Sequence, residues 1–185
     1  MALIDVNGTQ IHYLDEGPRD APAIIFSNSM FFDVTMFEKQ ATAFADNYRV
    51  VRYDHRGQGG STKAPRDKLD MDTLADDTAA LIEALGLQKC CFVGNSMGGF
   101  IALRLAARRP DLIASAVIMG SSADAEVSVE AMDAVVKVIE QNGVSPVVED
   151  ILYFMLGDTT LNDPDRAATK PVSYTHLRAH ETFGY

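Results

Sequence analysis

Apolar residues fall into short runs separated by polar, glycine-bearing loops, and the spacing inside the runs switches between strand-like and helix-like. Residues 3–6 and 10–14 flank Asn7-Gly8, the dipeptide that suits a tight hairpin, so the chain opens antiparallel. Residues 22–26 (Pro-Ala-Ile-Ile-Phe) read as a short buried strand running into the polar loop Ser27-Asn28-Ser29-Met30. Phe37, Ala41 and Phe44 recur at helical spacing. Residues 48–53 give another strand, followed by the glycine-rich loop of residues 54–61. Leu74, Thr78, Leu81, Ile82 and Leu85 mark one face of a helix that stops at Gly86. Ile101, Leu105 and Ala106 mark a helix ended by Arg109-Pro110, and residues 113–119 supply one more strand. Alternating strands and amphipathic helices predict the α/β class, a mostly parallel sheet with helices on both faces.

Between two of these helices lies the apolar run of residues 89–93, which stops at Gly94-Asn95-Ser96-Met97-Gly98. It reads as strand, elbow, helix. Gly94 and Gly98 put residues without side chains on either side of Ser96, as a very sharp turn requires when the serine backbone is strained. The hydroxyl then stands at the top of the sheet and at the N-terminus of a helix starting near Met97, where free N–H groups stabilise an anion.

Composition narrows the classes of function. The chain has 185 residues, 47% of them apolar and 23% charged, which is ordinary for a globular protein. Its formal charge of -10 argues against nucleic acid or an anionic membrane surface as partner, because both call for a basic face. No basic region followed by an apolar stretch opens the chain, and no run approaches a membrane span, so a cytoplasmic location is expected. The two cysteines, Cys90 and Cys91, are adjacent in one strand and point to opposite faces. They read as packing residues.

Other glycine-loop chemistries fail on the residues. Neither glycine cluster supplies the lysine of a phosphate-binding loop, and Thr62 stands where a dinucleotide fingerprint needs its third glycine. No His, Cys, Asp and Glu set has metal-ligand spacing, so neither metal nor cofactor is expected.

With strand, G-x-S-x-G and helix in place, the chain resembles the α/β-hydrolase family over roughly residues 1–165. Residues 54–61 match the family's D-x-R-G-x-G-x-S, and Ser27-Asn28-Ser29 stands where many members have His-Gly-x. That replacement is similar to the 3-oxoadipate enol-lactonase branch, as are Asp33 and Met36-Phe37. The resemblance implies that Ser96 attacks an acyl carbonyl, with the backbone N–H groups of Met97 and Ser29 holding the oxyanion. A carboxylate and then a histidine are implied after Ser96 to activate it.

Only His176 and His180 follow Ser96. The segment 172–182 that contains them resembles the in-frame translation of a transposase adapter used in sequencing libraries. The expectation is therefore a natural frame ending near Lys170, with residues 1–122 forming the N-terminal part of the hydrolase core, 123–170 beginning a helical cap, and 171–185 a non-native tail. Val129, Met132, Val135, Val136 and Ile139 supply the first cap helix, residues 143–146 break it, and residues 147–156 begin another. Asp124 stands where a minority of members place their acid.

His55 reads as a loop hydrogen-bonder and His12 as a surface residue, while Asp54 and Arg56 are expected to pair within their loop. Three functions remain. The parent protein is expected to hydrolyse a small carboxylic ester or lactone, with little or no turnover by this chain. Acyl transfer or cofactor-free perhydrolysis on the same serine is the second, and a non-catalytic binding protein on the same fold is the third. The sequence leaves the oligomeric state open.

Overall fold

The computed structural model describes residues 2–123, 129–143 and 145–155. They belong to two compact units that part between Asp124 and Ala125.

The first unit opens with β1 (Ala2–Val6) and β2 (Thr9–Glu16), paired antiparallel with Val6 opposite Thr9. Asn7 and Gly8 both adopt positive φ, 45° and 72°, which matches the hairpin turn to the right-handed twist of its strands. β3 (Ala23–Ser27), α1 (Glu38–Phe44), β4 (Arg49–Tyr53), α2 (Met71–Ala84), β5 (Cys90–Asn95), α3 (Met97–Arg108) and β6 (Ile113–Met119) follow. The sheet order is β1-β2-β4-β3-β5-β6, and every pairing from β4 onward is parallel. The predicted α/β architecture is therefore present.

Alternate residues of the central strands feed two cores. Ile25, Val51 and Phe92 pack with Leu74, Leu81 and Ile82 of α2 and Ile101 and Leu105 of α3. Ile24, Phe26 and Val50 face the other way, against Ala41 of α1 and Phe37, whose ring stacks on Phe26 at 4.9 Å. Each such fully buried side chain contributes about 1.5–3 kcal/mol. α2 is also held at its ends. Asp70 accepts from the N–H groups of Asp72 and Thr73 at 3.0 and 2.8 Å, and Gly86 takes φ 62° just beyond the helix. Cys90 and Cys91 are free thiols, the first buried and the second half-buried, as opposite faces of β5 require.

β6 is the strand expected over residues 113–119, and its residues 114–118 are all exposed. Among the described residues it is an edge strand, paired with β5 alone.

The second unit contributes α4 (Val129–Asn142), a 3-10 turn over Ser145–Val147 and α5 (Val148–Met155). Asp124, His176 and His180 lie outside the described residues. Among the described residues no helix is long and apolar enough to cross a membrane.

Candidate active site

Three parallel strands end in step. Tyr53 of β4 pairs with Ser27 of β3, and Ser27 pairs with Gly94 of β5. Two positions beyond this row stand His55, Ser29 and Ser96. The sheet thus delivers the elbow serine, the loop serine and a histidine to one end of adjacent strands, the end at which parallel α/β sheets place their sites.

Ser96 has φ 49° and ψ -112°. That conformation costs a side-chain-bearing residue on the order of 1–3 kcal/mol, and local bonds hold it. Its N–H donates to the Met119 carbonyl at 2.8 Å. Its carbonyl accepts from Gly99 N–H at 2.8 Å, Phe100 N–H at 3.0 Å and the Ser121 hydroxyl at 2.7 Å. The glycines give the turn its room. A Cβ on Gly94 would strike the Gly98 carbonyl, and one on Gly98 would strike the Ser27 carbonyl. Met97 is the first residue of α3, where backbone N–H groups lack intrahelical acceptors.

The loop carrying Ser29 is pinned at several points. His55 Nε2 lies 3.1 Å from the Asn28 carbonyl, and Ser29 N–H donates to the Met36 sulfur at 3.4 Å. Val34 donates its N–H to Asp54 Oδ1 at 2.7 Å, while its carbonyl accepts from Arg52 Nη1 at 2.7 Å. Burial pushes the His55 imidazolium pKa down to about 4, so the ring is neutral at pH 7. Tyr53 sits under that ring, and burial raises its phenol well above the usual range.

Two expectations about the glycine loop are corrected. His12 is buried, not on the surface, because the loop closes over it: Gly60 packs on its ring, and Nδ1 meets Asp54 Oδ2 at 2.6 Å. Arg56 pairs with Asp77 of α2 instead of Asp54. Asp54 is occupied by His12, Val34 and the Gly60 N–H at 2.8 Å. A sequence signal existed for the second. Asp77 sits inside the apolar stripe of α2, and a charge there needs a buried partner. Gln58 carries the loop to the elbow, its Nε2 lying 3.8 Å from the Met97 sulfur.

Among the described residues neither histidine is hydrogen-bonded to Ser96, since His55 Nε2 serves Asn28 and His12 Nδ1 serves Asp54. No group of three His, Cys, Asp or Glu side chains among the described residues is arranged to hold a metal ion.

The alpha/beta hydrolase fold family matches residues 22–143, which span the whole β3-to-β6 framework and both loops beside Ser96. The chain belongs to this family. It is 41% identical over 117 residues to a bifunctional esterase/perhydrolase of Acinetobacter calcoaceticus, covering 62% of this chain and 42% of that protein. It is 35% identical over 132 residues to 3-oxoadipate enol-lactonase 1 of Acinetobacter baylyi, covering 71% of this chain and 48% of that one. The enol-lactonase structure from Burkholderia xenovorans superposes with a TM-score of 0.82 at 29% identity, covering 98% of this chain and 70% of its own. The resemblance drawn from the elbow and its two loops thus led to the right family. The chain spans about half the length of the curated relatives it matches, 42% of one and 48% of the other.

Proposed function

We propose that this chain carries the nucleophile and oxyanion donors of a serine hydrolase acting on a small carboxylic ester or lactone. The observation behind it is the strained Ser96, φ 49°, at the start of α3 and in step with Ser29. The similarity to an esterase/perhydrolase and to enol-lactonases supports the ester or lactone class.

In this reading Ser96 Oγ attacks the acyl carbon as a base takes its proton, giving a tetrahedral intermediate. The N–H groups of Met97 and Ser29 receive the oxyanion, and collapse expels the alcohol to leave an acyl-enzyme. Water releases the acid. Neither His12 on β2 nor His55 in the glycine-rich loop serves as the base in this reading. Residues 123–170 are read as the beginning of a cap, Asp124 as a candidate acid, and the cytoplasm as the location.

A fluorophosphonate tests the core of this. In the full-length parent protein a covalent adduct on Ser96, absent in Ser96→Ala, is expected. A binding protein on the same fold gives no adduct, and that outcome would replace the hydrolase reading. The similarity to a bifunctional esterase/perhydrolase favours one second reading, perhydrolysis on the same serine. Product analysis with peroxide or alcohol as acceptor separates it from plain hydrolysis.

A further inference from the structure

The Asn28–Ser29 peptide is a rigid plane whose C=O and N–H point in opposite directions. Whatever holds the oxygen therefore aims the N–H. The oxygen of Asn28 lies 3.1 Å from His55 Nε2, and the Ser29 N–H points away to the Met36 sulfur at 3.4 Å. A thioether is a weak acceptor, and an oxyanion in its place is a far stronger one. The donor is thus aimed, with only a weak occupant to displace.

His55 is itself oriented by a chain of buried hydroxyls. Its Nε2 is 3.4 Å from Ser27 Oγ, which is 2.9 Å from Tyr53 Oη, which is 2.8 Å from Thr78 Oγ1. Thr78 donates to the Leu74 carbonyl at 2.8 Å. A carbonyl only accepts, so the hydrogens run one way: Thr78 gives to Leu74, Tyr53 to Thr78, Ser27 to Tyr53. Ser27 Oγ is then left as an acceptor facing His55, as is the Asn28 carbonyl. Both neighbours of Nε2 require it to be the donor. The Tyr53 and His55 rings meet edge to face at 4.9 Å, fixing the ring plane.

We propose that His55 is a positioning residue for the oxyanion donor: its Nε2–H holds the Asn28 carbonyl and so aims the Ser29 N–H. This rests on the serine-hydrolase reading and adds a residue to it. His55 touches no reacting atom, and its role passes entirely through the peptide plane.

The test compares the wild-type chain with His55→Gln, which keeps an N–H donor, and His55→Phe, which keeps a flat ring beside Tyr53 and donates nothing. In isotope-labelled protein, ring nitrogen shifts report the His55 tautomer, a through-bond coupling reports its bond to the Asn28 carbonyl, and amide exchange is followed at Ser29 and in the core. Fluorophosphonate labelling of Ser96 in the full-length parent protein gives the maximal rate and the half-saturating concentration separately. The expected result is an Nε2–H tautomer bonded to Asn28. His55→Phe speeds exchange at Ser29 alone and lowers the maximal labelling rate by on the order of tenfold to a hundredfold, with half-saturation within about twofold. His55→Gln restores most of that rate. An Nδ1–H tautomer overturns the proposal, as does a Ser29 amide indifferent to His55→Phe, or a loss that tracks global stability alike in both variants. Should Ser96 fail to react even in the full-length wild type, the hydrolase reading falls, while tautomer, coupling and exchange still decide whether His55 orients this peptide. A His55→Phe chain that does not fold leaves the decision to the wild-type tautomer and to His55→Gln.

Discussion

Arg56 grips Asp77 with two prongs, Nε to Oδ2 at 2.7 Å and Nη2 to Oδ1 at 2.6 Å, with both side chains buried. The same guanidinium donates to the Asn7 carbonyl at 2.9 Å, and the Asn7 side chain donates to Asp77 at 2.7 Å. One ion pair therefore joins the opening hairpin, the glycine loop and α2. Asp77→Ala strands a buried cation and is expected to cost about 3–5 kcal/mol in urea unfolding. A paired apolar replacement, Arg56→Leu with Asp77→Leu, is expected to recover part of that loss. A cost below about 1 kcal/mol for the single change would show that the pair is effectively solvated.

Gly94 and Gly98 are expected to refuse even a methyl group, because backbone carbonyls occupy the space. Either glycine-to-alanine change should abolish soluble folded protein or cost more than about 3 kcal/mol. Gly86 is the control. It has φ 62° but nothing within 4 Å of a built Cβ, so Gly86→Ala should cost only about 1 kcal/mol. Circular dichroism melts of the three variants rank them.

Strain at Ser96 predicts a stability gain on removing its side chain altogether. Glycine adopts φ 49°, ψ -112° without penalty, whereas alanine keeps the Cβ clash. Ser96→Gly should therefore be more stable than Ser96→Ala by about 1–2 kcal/mol. Equal melting of the two would mean that the elbow stores no strain.

The neutral His55 sets an acid limit. Its pKa is near 4 folded, against an ordinary 6.5, so between those values the unfolded chain binds the extra proton. Stability is full above about pH 6.5, declines as pH falls toward about 4, and levels off below. The 2.5-unit gap corresponds to about 3 kcal/mol. Chemical denaturation of wild type and His55→Gln across this range should show that decline only in wild type, as a difference between the curves.

The strands and helices were legible because each has a period the fold uses directly. Ile24 and Ile25 feed opposite cores, Leu74 and Leu81 share one face, and Gly86 ends α2. The elbow was legible from Gly94, Ser96 and Gly98, although the reason for the glycines is tertiary: their missing side chains admit other elements' carbonyls. His12 was misread because hairpin alternation says nothing about what later packs on a strand, here Gly60. Arg56 was misassigned because its nearest charge in sequence, Asp54, is already claimed by three donors.

The hydroxyl series from Ser27 through Tyr53 to Thr78 ends on a helix carbonyl, and that terminus dictates the sense of every link before it. Thr78→Val would delete the acceptor of the Tyr53 hydroxyl, letting Tyr53 turn and donate to Ser27, and Ser27 would then present a hydrogen to His55 instead of a lone pair. The direction in which a loop amide points is thus set in part by a threonine on a helix behind the sheet.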